Sequence, residues 1–235
     1  TQKENQLSIQ ITEQLPSNLN QPFLAKVNME KRTDTTQNHS ATHLLQAALR
    51  EVLGDHIAQK GSLVNEKNLR FDFSHFQKVE KAEILQIENI VNAKIREAIA
   101  LDEARNVPFE EATKGGAMAL FGEKYGDTVR VITFGKDYSV ELCGGCHVSN
   151  TAQIGSFKIV HEGAVAAGVR RIEAITGAKA DAYIKEKLSL IDQISAEMGN
   201  QQDLLKAVQT LQKENAELRL KLASFENAQL GNIKE

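Results

Sequence analysis

The chain has 235 residues, enough for one good-sized domain with an appendage or for two small domains. It is 41% hydrophobic and 25% charged, and its net charge of −3 gives no support for a basic nucleic-acid-binding module, so any RNA contact must come from a local cluster of cations. No apolar run of about 18 residues could span a membrane and no secretory signal opens the chain, so a cytoplasmic protein is expected. The start at Thr1, in mid-pattern, favours a segment of a longer protein.

The first part of the chain changes from a strand pattern to a helix pattern. Residues 1–30 alternate weakly between apolar and polar positions, which predicts a two-strand remnant of a preceding β-rich subdomain. From Ala41 onward the apolar residues form a helical stripe. Asp34 with Gln37 predicts a capping box at the start of this helix, and Gly54 predicts its end.

The middle of the chain predicts an α+β domain over residues 31–178. Two strand-like runs at 62–64 and 69–73 precede a long helix expected from about 79 to 104. The Gly-rich stretch 114–126 lacks the spacing of a phosphate-binding loop and is expected to be a flexible loop. Four further strands are expected at 129–134, 138–142, 157–161 and 169–176. Helices on one side of a largely antiparallel sheet form a two-layer sandwich.

The last part of the chain, residues 179–235, has a different periodicity. Its apolar residues are spaced alternately four and three apart, and Asn215 is the single polar member of this heptad seam. The seam consists of Leu204, Val208, Leu211, Asn215, Leu218, Leu222 and Phe225. A similar spacing, out of register, precedes a break at 199–203. These residues predict an antiparallel helical hairpin or a coiled coil, through which the chain could associate with itself.

Two histidines, His39 and His43, lie four residues apart near the start of the first helix. Imidazoles one helical turn apart can bind the same metal ion. Taken alone, such a pair is more often a surface or structural pair, because short motifs occur freely by chance. His56, His75 and His161 have no partner in the sequence and are expected to be structural.

The second group of metal-binding residues is Cys143, Cys146 and His147. Two cysteines do not make a disulfide framework, and a redox Cys-x2-Cys pair would be expected within a βαβ unit that is missing here. The three residues follow a predicted strand on a glycine turn, which lets the backbone direct their side chains toward one point. Together with the histidine pair they can complete a tetrahedral set, so we predict a zinc site.

Five motifs extend the pattern beyond the metal-binding residues. In chain order they cover residues 38–45, 59–64, 70–75, 142–147 and 167–173. In this order they resemble the editing domain of alanyl-tRNA synthetases and the related free-standing editing proteins. The resemblance covers roughly residues 20–178, and residues 181–235 resemble the helical segment that follows this domain in the synthetase.

The resemblance implies that zinc is bound by His39, His43, Cys143 and His147. One residue departs from the family pattern, because Cys146 stands where the family usually has threonine. A second thiol next to the site leaves open an exchange of the two cysteines or a Cys143–Cys146 disulfide on oxidation.

The resemblance also implies which residues bind the substrate. Thr42 and Gln59 would line the amino-acid pocket, although a helical threonine can instead bond its own backbone and a loop glutamine is usually solvated. Arg170 and Arg171 form the best local cluster for the RNA backbone. On a strand, adjacent side chains point to opposite faces, so only one of the two is expected to face the tRNA.

The function implied by the resemblance is hydrolysis of alanine tRNA that carries serine or glycine. A pocket built for alanine discriminates against these amino acids by only about 1–3 kcal/mol, so a second hydrolytic site is needed. Zinc could activate water, polarise the ester carbonyl or hold the amino acid. However, four protein ligands close a zinc ion, whereas catalytic zinc normally keeps one position open.

Two alternatives to a synthetase editing domain remain. The chain could be a free-standing deacylase with the same activity, although the helical tail favours a synthetase segment. It could also be a structural zinc module that only binds RNA. The closed ligand set favours this last hypothesis, and the pocket residues Thr42 and Gln59 oppose it.

Overall fold

The structure is a computed structural model that describes residues 2–4, 7–9, 17, 18, 22, 24, 26–119 and 125–232. Strands β1 (Gln2–Glu4) and β2 (Leu7–Ile9) pair antiparallel at the start of the chain. The second apolar run of the predicted two-strand remnant falls largely outside the described residues.

Helix α1 (Met29–Leu53) begins earlier than the sequence predicts. Asn28 caps it, because its side chain accepts the amide of the third helical residue. The capping box predicted at Asp34 is therefore wrong: Asp34 lies inside the helix and forms an ion pair with Lys179. The predicted end is confirmed, since Gly54 has a φ of 110° and donates its amide to the last turn.

The remaining elements follow in chain order. The strands are β3 (Gln59–Val64), β4 (Leu69–Ser74), β5 (Asp102–Pro108), β6 (Thr128–Phe134), β7 (Ser139–Leu142), β8 (Phe157–Ala166) and β9 (Val169–Thr176). The helices are α2 (Lys81–Arg96), α3 (Phe109–Lys114), α4 (Gly177–Glu197) and α5 (Leu204–Asn232), with a 3-10 turn at Thr151–Ile154.

Two antiparallel sheets carry the domain, so the predicted α+β class is confirmed. One sheet has the strand order β3-β4-β9-β8 and the other has the order β5-β6-β7. Helices α1 and α2 contribute fully buried side chains to a core shared with the four-stranded sheet. The helices contribute Leu44, Leu45, Leu49, Ile87 and Val91, and the sheet contributes Phe71, Phe73 and Ile172. The core fixes the orientation of α1, and with it the side chains on the opposite face of that helix.

The long helix predicted over 79–104 is wrong in its second half. Helix α2 ends at Arg96, Ala98 has a φ of 52°, and Asp102 begins β5 by pairing with Thr133 of β6. Strand β5 lies at an edge and is mostly exposed, so it carries no alternating apolar pattern that the sequence could reveal. The start of the predicted Gly-rich loop is likewise corrected, because Lys114 ends the short helix α3. Residues 120–124 of that loop lie outside the described residues.

The two helices predicted in the tail are confirmed, and the break between them lies at the residues preceding Leu204. The apolar seam is exposed on α5: Leu211, Leu218, Leu222 and Phe225 are each more than half accessible. Packing of this seam against another helix therefore stays a prediction. None of the helices in the described part of the chain combines the length and the apolar character needed to cross a membrane.

Candidate metal centre

The structure brings together the two groups of residues that the sequence predicted as zinc ligands. Helix α1 places His39 and His43 one turn apart, and the turn that follows β7 places Cys143 and His147 opposite them. One ligand atom from each of the four residues lies within 4.8 Å of all the others. The Cys143 Sγ is 3.5 Å from Nε2 of His39 and 3.3 Å from Nε2 of His147.

These distances fit a tetrahedral ion. Zinc bonds of 2.0–2.3 Å place neighbouring ligand atoms roughly 3.3–3.8 Å apart, so the four side chains need little movement to share one ion. Three imidazoles and one thiolate form a ligand set that suits zinc better than magnesium or calcium, which prefer oxygen ligands. The four residues could therefore hold a metal ion.

The electrostatics of the cluster favour a thiolate. Burial opposes the charged form of Cys143, but hydrogen bonds from the three histidines outweigh it and lower the pKa of this thiol to about 3. Burial also dominates at His147 and lowers the pKa of this imidazole to about 4, so it is neutral at pH 7. A thiolate and neutral imidazoles are the protonation states in which these side chains bind metals.

Glu141 is the outer partner of His43. One carboxylate oxygen, Oε2, lies 3.0 Å from Nδ1 of His43, and both side chains are buried. Burial opposes the protonated imidazole, but the Glu141 and Cys143 charges outweigh it and raise the pKa of His43 to about 10, so this imidazole must release a proton when it binds a metal. This contact is an ion pair and does not have the geometry of a hydrogen bond, and His43 Nδ1 has no other polar partner in the described part of the chain. Its Nε2 is left to face the cluster, an arrangement typical of metal-binding histidines with an outer carboxylate.

Ser40 has the corresponding position beside His147. Its Oγ lies 3.3 Å from Nδ1 of His147 and accepts the amide of Val148 at 3.0 Å. This hydroxyl is fully buried and can hold the imidazole with its Nε2 toward Cys143. Sequence reasoning missed both Glu141 and Ser40 as parts of the site. The available signal was their position next to the motifs, with Glu141 two residues before Cys143 on an alternating strand.

The turn between Cys143 and His147 is held by two further contacts. Arg130 of β6 donates to the carbonyl oxygens of Cys143 and Gly145 and binds Glu103 of β5 with two nitrogens. Gly145 packs directly against the His39 ring, and a Cβ on this residue would lie less than 3.0 Å from two ring atoms. The turn therefore has a fixed backbone and no room for a side chain at this point.

A cavity of about 360 Å³, here called the metal cavity, opens beside the cluster. Thr42 and Gln59 line it together with His39, His43 and Cys143, so the structure brings the predicted amino-acid pocket to the metal-binding residues. The Thr42 hydroxyl donates to the Asn38 carbonyl at 2.9 Å, which is the backbone contact that the sequence left open. Its oxygen still has free lone pairs and can accept a hydrogen bond from a ligand.

Cys146 is not part of the cluster. It lines a different cavity, and the potential ligand group among the described residues includes Cys143 but not Cys146. Both thiols are free in the structure. This placement supports Cys143 as the thiol ligand, as the family pattern implies.

The two arginines predicted to contact RNA lie on β9 and line neither of these cavities. Arg170 donates its Nε to Glu162 at 2.6 Å. Arg171 binds Asp72 with two nitrogens, at 2.6 and 2.8 Å. Both guanidinium groups therefore already have carboxylate partners.

The histidines without a partner in sequence include one pair in space. Nε2 of His56 lies 2.9 Å from Nδ1 of His75, and the two rings are stacked. Burial and the neighbouring imidazole lower the pKa of His75. His161 lies exposed on β8.

Comparison with known proteins gives the site a family context. Residues 129–173 match a family model described as "Threonyl and Alanyl tRNA synthetase second additional domain". The alanine–tRNA ligase of Cytophaga hutchinsonii is 56% identical over 226 residues, which are 96% of this chain and 26% of the relative. The predicted resemblance to alanyl-tRNA synthetases is confirmed.

Other alanine–tRNA ligases match the chain over its full length. The ligase of Flavobacterium psychrophilum is 51% identical over 234 residues and that of Bacteroides thetaiotaomicron is 52% identical over 235 residues. In both cases the match covers 100% of this chain but only 26% and 27% of the relative. The chain thus spans about a quarter of the length of these relatives. The stretch matched by the family model contains Cys143 and His147, whereas His39 and His43 lie before it.

Proposed function

We propose that this chain is the editing region of a cytoplasmic alanyl-tRNA synthetase and hydrolyses the ester bond of alanine tRNA wrongly charged with serine or glycine. Residues 31–178 would form the editing domain, residues 179–235 the following helical segment, and residues 1–30 a remnant of the preceding subdomain. The proposal rests on one observation above all. Thr42 and Gln59 line the same cavity as His39, His43 and Cys143, and the fourth potential metal ligand, His147, belongs to the same cluster.

The hydroxyl of Thr42 supplies selectivity for serine. Its proton is used by the Asn38 carbonyl, so Oγ1 can only accept. The side-chain hydroxyl of a seryl ester can donate to this oxygen, whereas the methyl group of alanine cannot. Thr42 is 5% exposed, so a hydrogen bond from serine to this oxygen would be buried, and one such bond contributes about 0.5–1.5 kcal/mol. Glycine offers no such contact and must be admitted by its size.

The metal of this site is proposed to be zinc, held by His39, His43, Cys143 and His147. Zinc supplies a Lewis acid or a fixed point for the aminoacyl group. The protein contributes the orientation of the ligands, because Glu141 and Ser40 hold the outer nitrogens of His43 and His147. In the reaction water adds to the ester carbonyl, and the ribose oxygen leaves with a proton.

Arg170 and Arg171 stay our proposed contacts for the RNA backbone. A guanidinium has five N–H donors, and each of these two arginines uses only two nitrogens for its carboxylate. The remaining donors could bind a phosphate, and only one of these two adjacent strand residues is expected to face the tRNA. The exposed seam of α5 is the proposed surface for self-association, as a hairpin or as a coiled coil between two chains.

The proposed activity is tested by single-turnover deacylation of alanine tRNA charged with serine, glycine or alanine. We expect cleavage of the first two and sparing of the third. Thr42→Val keeps the shape of the side chain but removes the acceptor, so the rate with serine should fall about 2- to 12-fold while the rate with glycine changes less. Thr33→Val is the matched control, because Thr33 makes the same backbone contact on the same helix but is exposed and away from the cavity.

The alternative is a zinc module that binds RNA without catalysis, and it is favoured by the closed set of four protein ligands. A wild-type chain that holds zinc and binds tRNA but cleaves none of the three charged tRNAs would establish this alternative. A free-standing deacylase would show the same cleavage, so the two editing hypotheses are distinguished by whether the natural chain also contains the aminoacylation domain.

A further inference from the structure

A second cavity, here called the arginine cavity, adjoins the metal cavity. It measures about 560 Å³ and shares Gly144 and Gly145 with the metal cavity, while His147 and Cys146 form another part of its wall. Its polar side chains come from three elements that are distant in sequence. They are Arg32, Thr36, Arg105, Asn106, Thr128 and Arg130.

The charge of the arginine cavity is positive. Three guanidinium groups line it, and among the described residues Glu103 is the one carboxylate that pairs with any of them, through Arg105 and Arg130. Hydrogen bonds from these two arginines lower the pKa of Glu103 to about 2, so this carboxylate is charged at neutral pH. Arg32 is exposed and forms no ion pair with the described part of the chain. The cavity therefore keeps an excess of two positive charges in a whole chain whose net charge is −3.

The secondary structure directs these groups toward the metal-binding residues. Arg32, Thr36, His39 and His43 are spaced four, three and four residues apart and therefore lie on one face of α1. Arg32 is about 10 Å from His39 along the helix axis. On the opposite wall, a β-bulge between Ala104 and Val107 places Arg105 and Asn106 at the cavity. Bulges of this kind redirect side chains next to binding sites.

We propose that the arginine cavity binds phosphodiester groups of the RNA strand whose 3′ end enters the metal cavity. This inference rests on the proposed function. If the aminoacyl ester at the 3′ end lies in the metal cavity, the phosphates that precede it in the same strand lie close to the arginine cavity. Guanidinium groups match phosphate oxygens in charge and geometry. The position of the cavity, which shares a wall with the metal cavity, favours a continuous strand over a free phosphate ion.

The test uses the 235-residue chain and an uncharged RNA hairpin with the acceptor stem of alanine tRNA and its unpaired 3′ end. Arg32→Ala should weaken binding on the order of 10-fold and lower the slope of log K against log salt by about 0.7 for each lost phosphate contact. Lys31→Ala is the matched control, because it removes the same charge from the preceding residue, which pairs with Glu66 and does not line the cavity. Its affinity should match that of the wild type. Zinc content and thermal unfolding check that both variants are folded.

A blunt hairpin without the unpaired 3′ nucleotides locates the contact. Wild type and Arg32→Ala should bind it equally, since it cannot reach the arginine cavity. Equal binding of the complete hairpin by the two variants, an Arg32 effect that persists on the blunt hairpin, or no binding by the wild type would each overturn the proposal. So would displacement of the hairpin by inorganic phosphate at constant ionic strength, which would indicate a small-anion site.

The result separates this inference from the proposed function. If the wild type deacylates serine-charged tRNA and Arg32→Ala binds and reacts like Lys31→Ala, the editing function stands and the arginine cavity has no role in RNA binding. If the hairpin requires Arg32 but no charged tRNA is cleaved, the RNA contact stands and editing is wrong.

Discussion

Gly145 provides a direct test of the metal centre, because its hydrogen atom faces the ring of His39. A Cβ on Gly145 would lie less than 3.0 Å from both Cε1 and Nδ1 of that ring, whereas a Cβ on the neighbouring Gly144 meets no atom within 4 Å. Neither glycine has a positive φ, so alanine is compatible with both backbones. The pair Gly145→Ala and Gly144→Ala therefore differs in available space and not in backbone strain.

The size of the effect follows from two distances. Carbon atoms pack at about 3.5–4.0 Å, so the His39 ring must withdraw by more than about 0.5 Å to accommodate the new methyl group. Metal–ligand distances tolerate about 0.2 Å, and this displacement removes His39 from the ligand set. Mutating a residue that only hydrogen-bonds a metal ligand typically lowers metal affinity about 10- to 100-fold, so loss of the ligand itself should lower zinc affinity by at least this factor. Overpacking should also destabilise the zinc-free protein by about 1–3 kcal/mol.

Zinc affinity is measured by titration against a chromophoric chelator, and folding is followed by thermal unfolding with and without zinc. We expect weak zinc binding in Gly145→Ala and wild-type binding in Gly144→Ala. The gain in unfolding temperature on adding zinc should shrink only in the first variant, because ligand binding to the folded state stabilises it. Equal zinc affinity in a folded Gly145→Ala protein would refute the assignment of His39 as a ligand.

Three further predictions address the thiol, the sheet and the tail. Metal analysis should show zinc loss in Cys143→Ala and not in Cys146→Ala, and equal loss in both would make the thiol assignment wrong. The hydrogen bond from Arg171 lowers the pKa of Asp72, so this pair contributes fully to stability above pH about 4. Its contribution is lost as the pH falls below the usual aspartate pKa of 3.8 and through the lowered pKa of Asp72. Unfolding of Asp72→Asn should lack this part of the acid dependence. Light scattering should show fewer chains per particle for a chain ending near Gly177 than for the full 235 residues. An unchanged number of chains per particle would leave only an intramolecular hairpin.

The elements that the sequence predicted well are those whose apolar pattern reports their burial. Strand β9 was predicted with its observed bounds, and α1 was recognised from the stripe that includes Leu44 and Leu45, both fully buried. Strand β5 was missed because an exposed edge strand has no such pattern. The start of α1 was misplaced because Asp34 and Gln37 resemble a capping box but make long-range contacts instead, with Lys179 and the Gln153 carbonyl.

The site shows the same division between local and long-range information. The spacing of His39 and His43 on a helix, and of Cys143 and His147 on a turn, is local and could be read directly. The roles of Glu141 and Ser40 depend on which ring nitrogen each faces, and this requires the docking of α1 on β7. The arginine cavity is harder still, because its walls come from α1, β5 and β6 and no short segment contains more than part of it.

The four potential ligands are not restrained equally. This difference indicates which of them could leave a fully coordinated metal ion and open a position toward the metal cavity. His43 faces Glu141 and His147 faces Ser40, while the Cys143 sulfur accepts the amide of Gly145. His39 has no outer hydrogen-bond partner among the described residues, and its ring is held by packing against Gly145. A ligand held only by packing can leave an ion at lower cost than one that must also give up a buried polar contact. His39 also lines the metal cavity, so the least restrained ligand is one that a substrate would meet, and space at Gly145 controls its position.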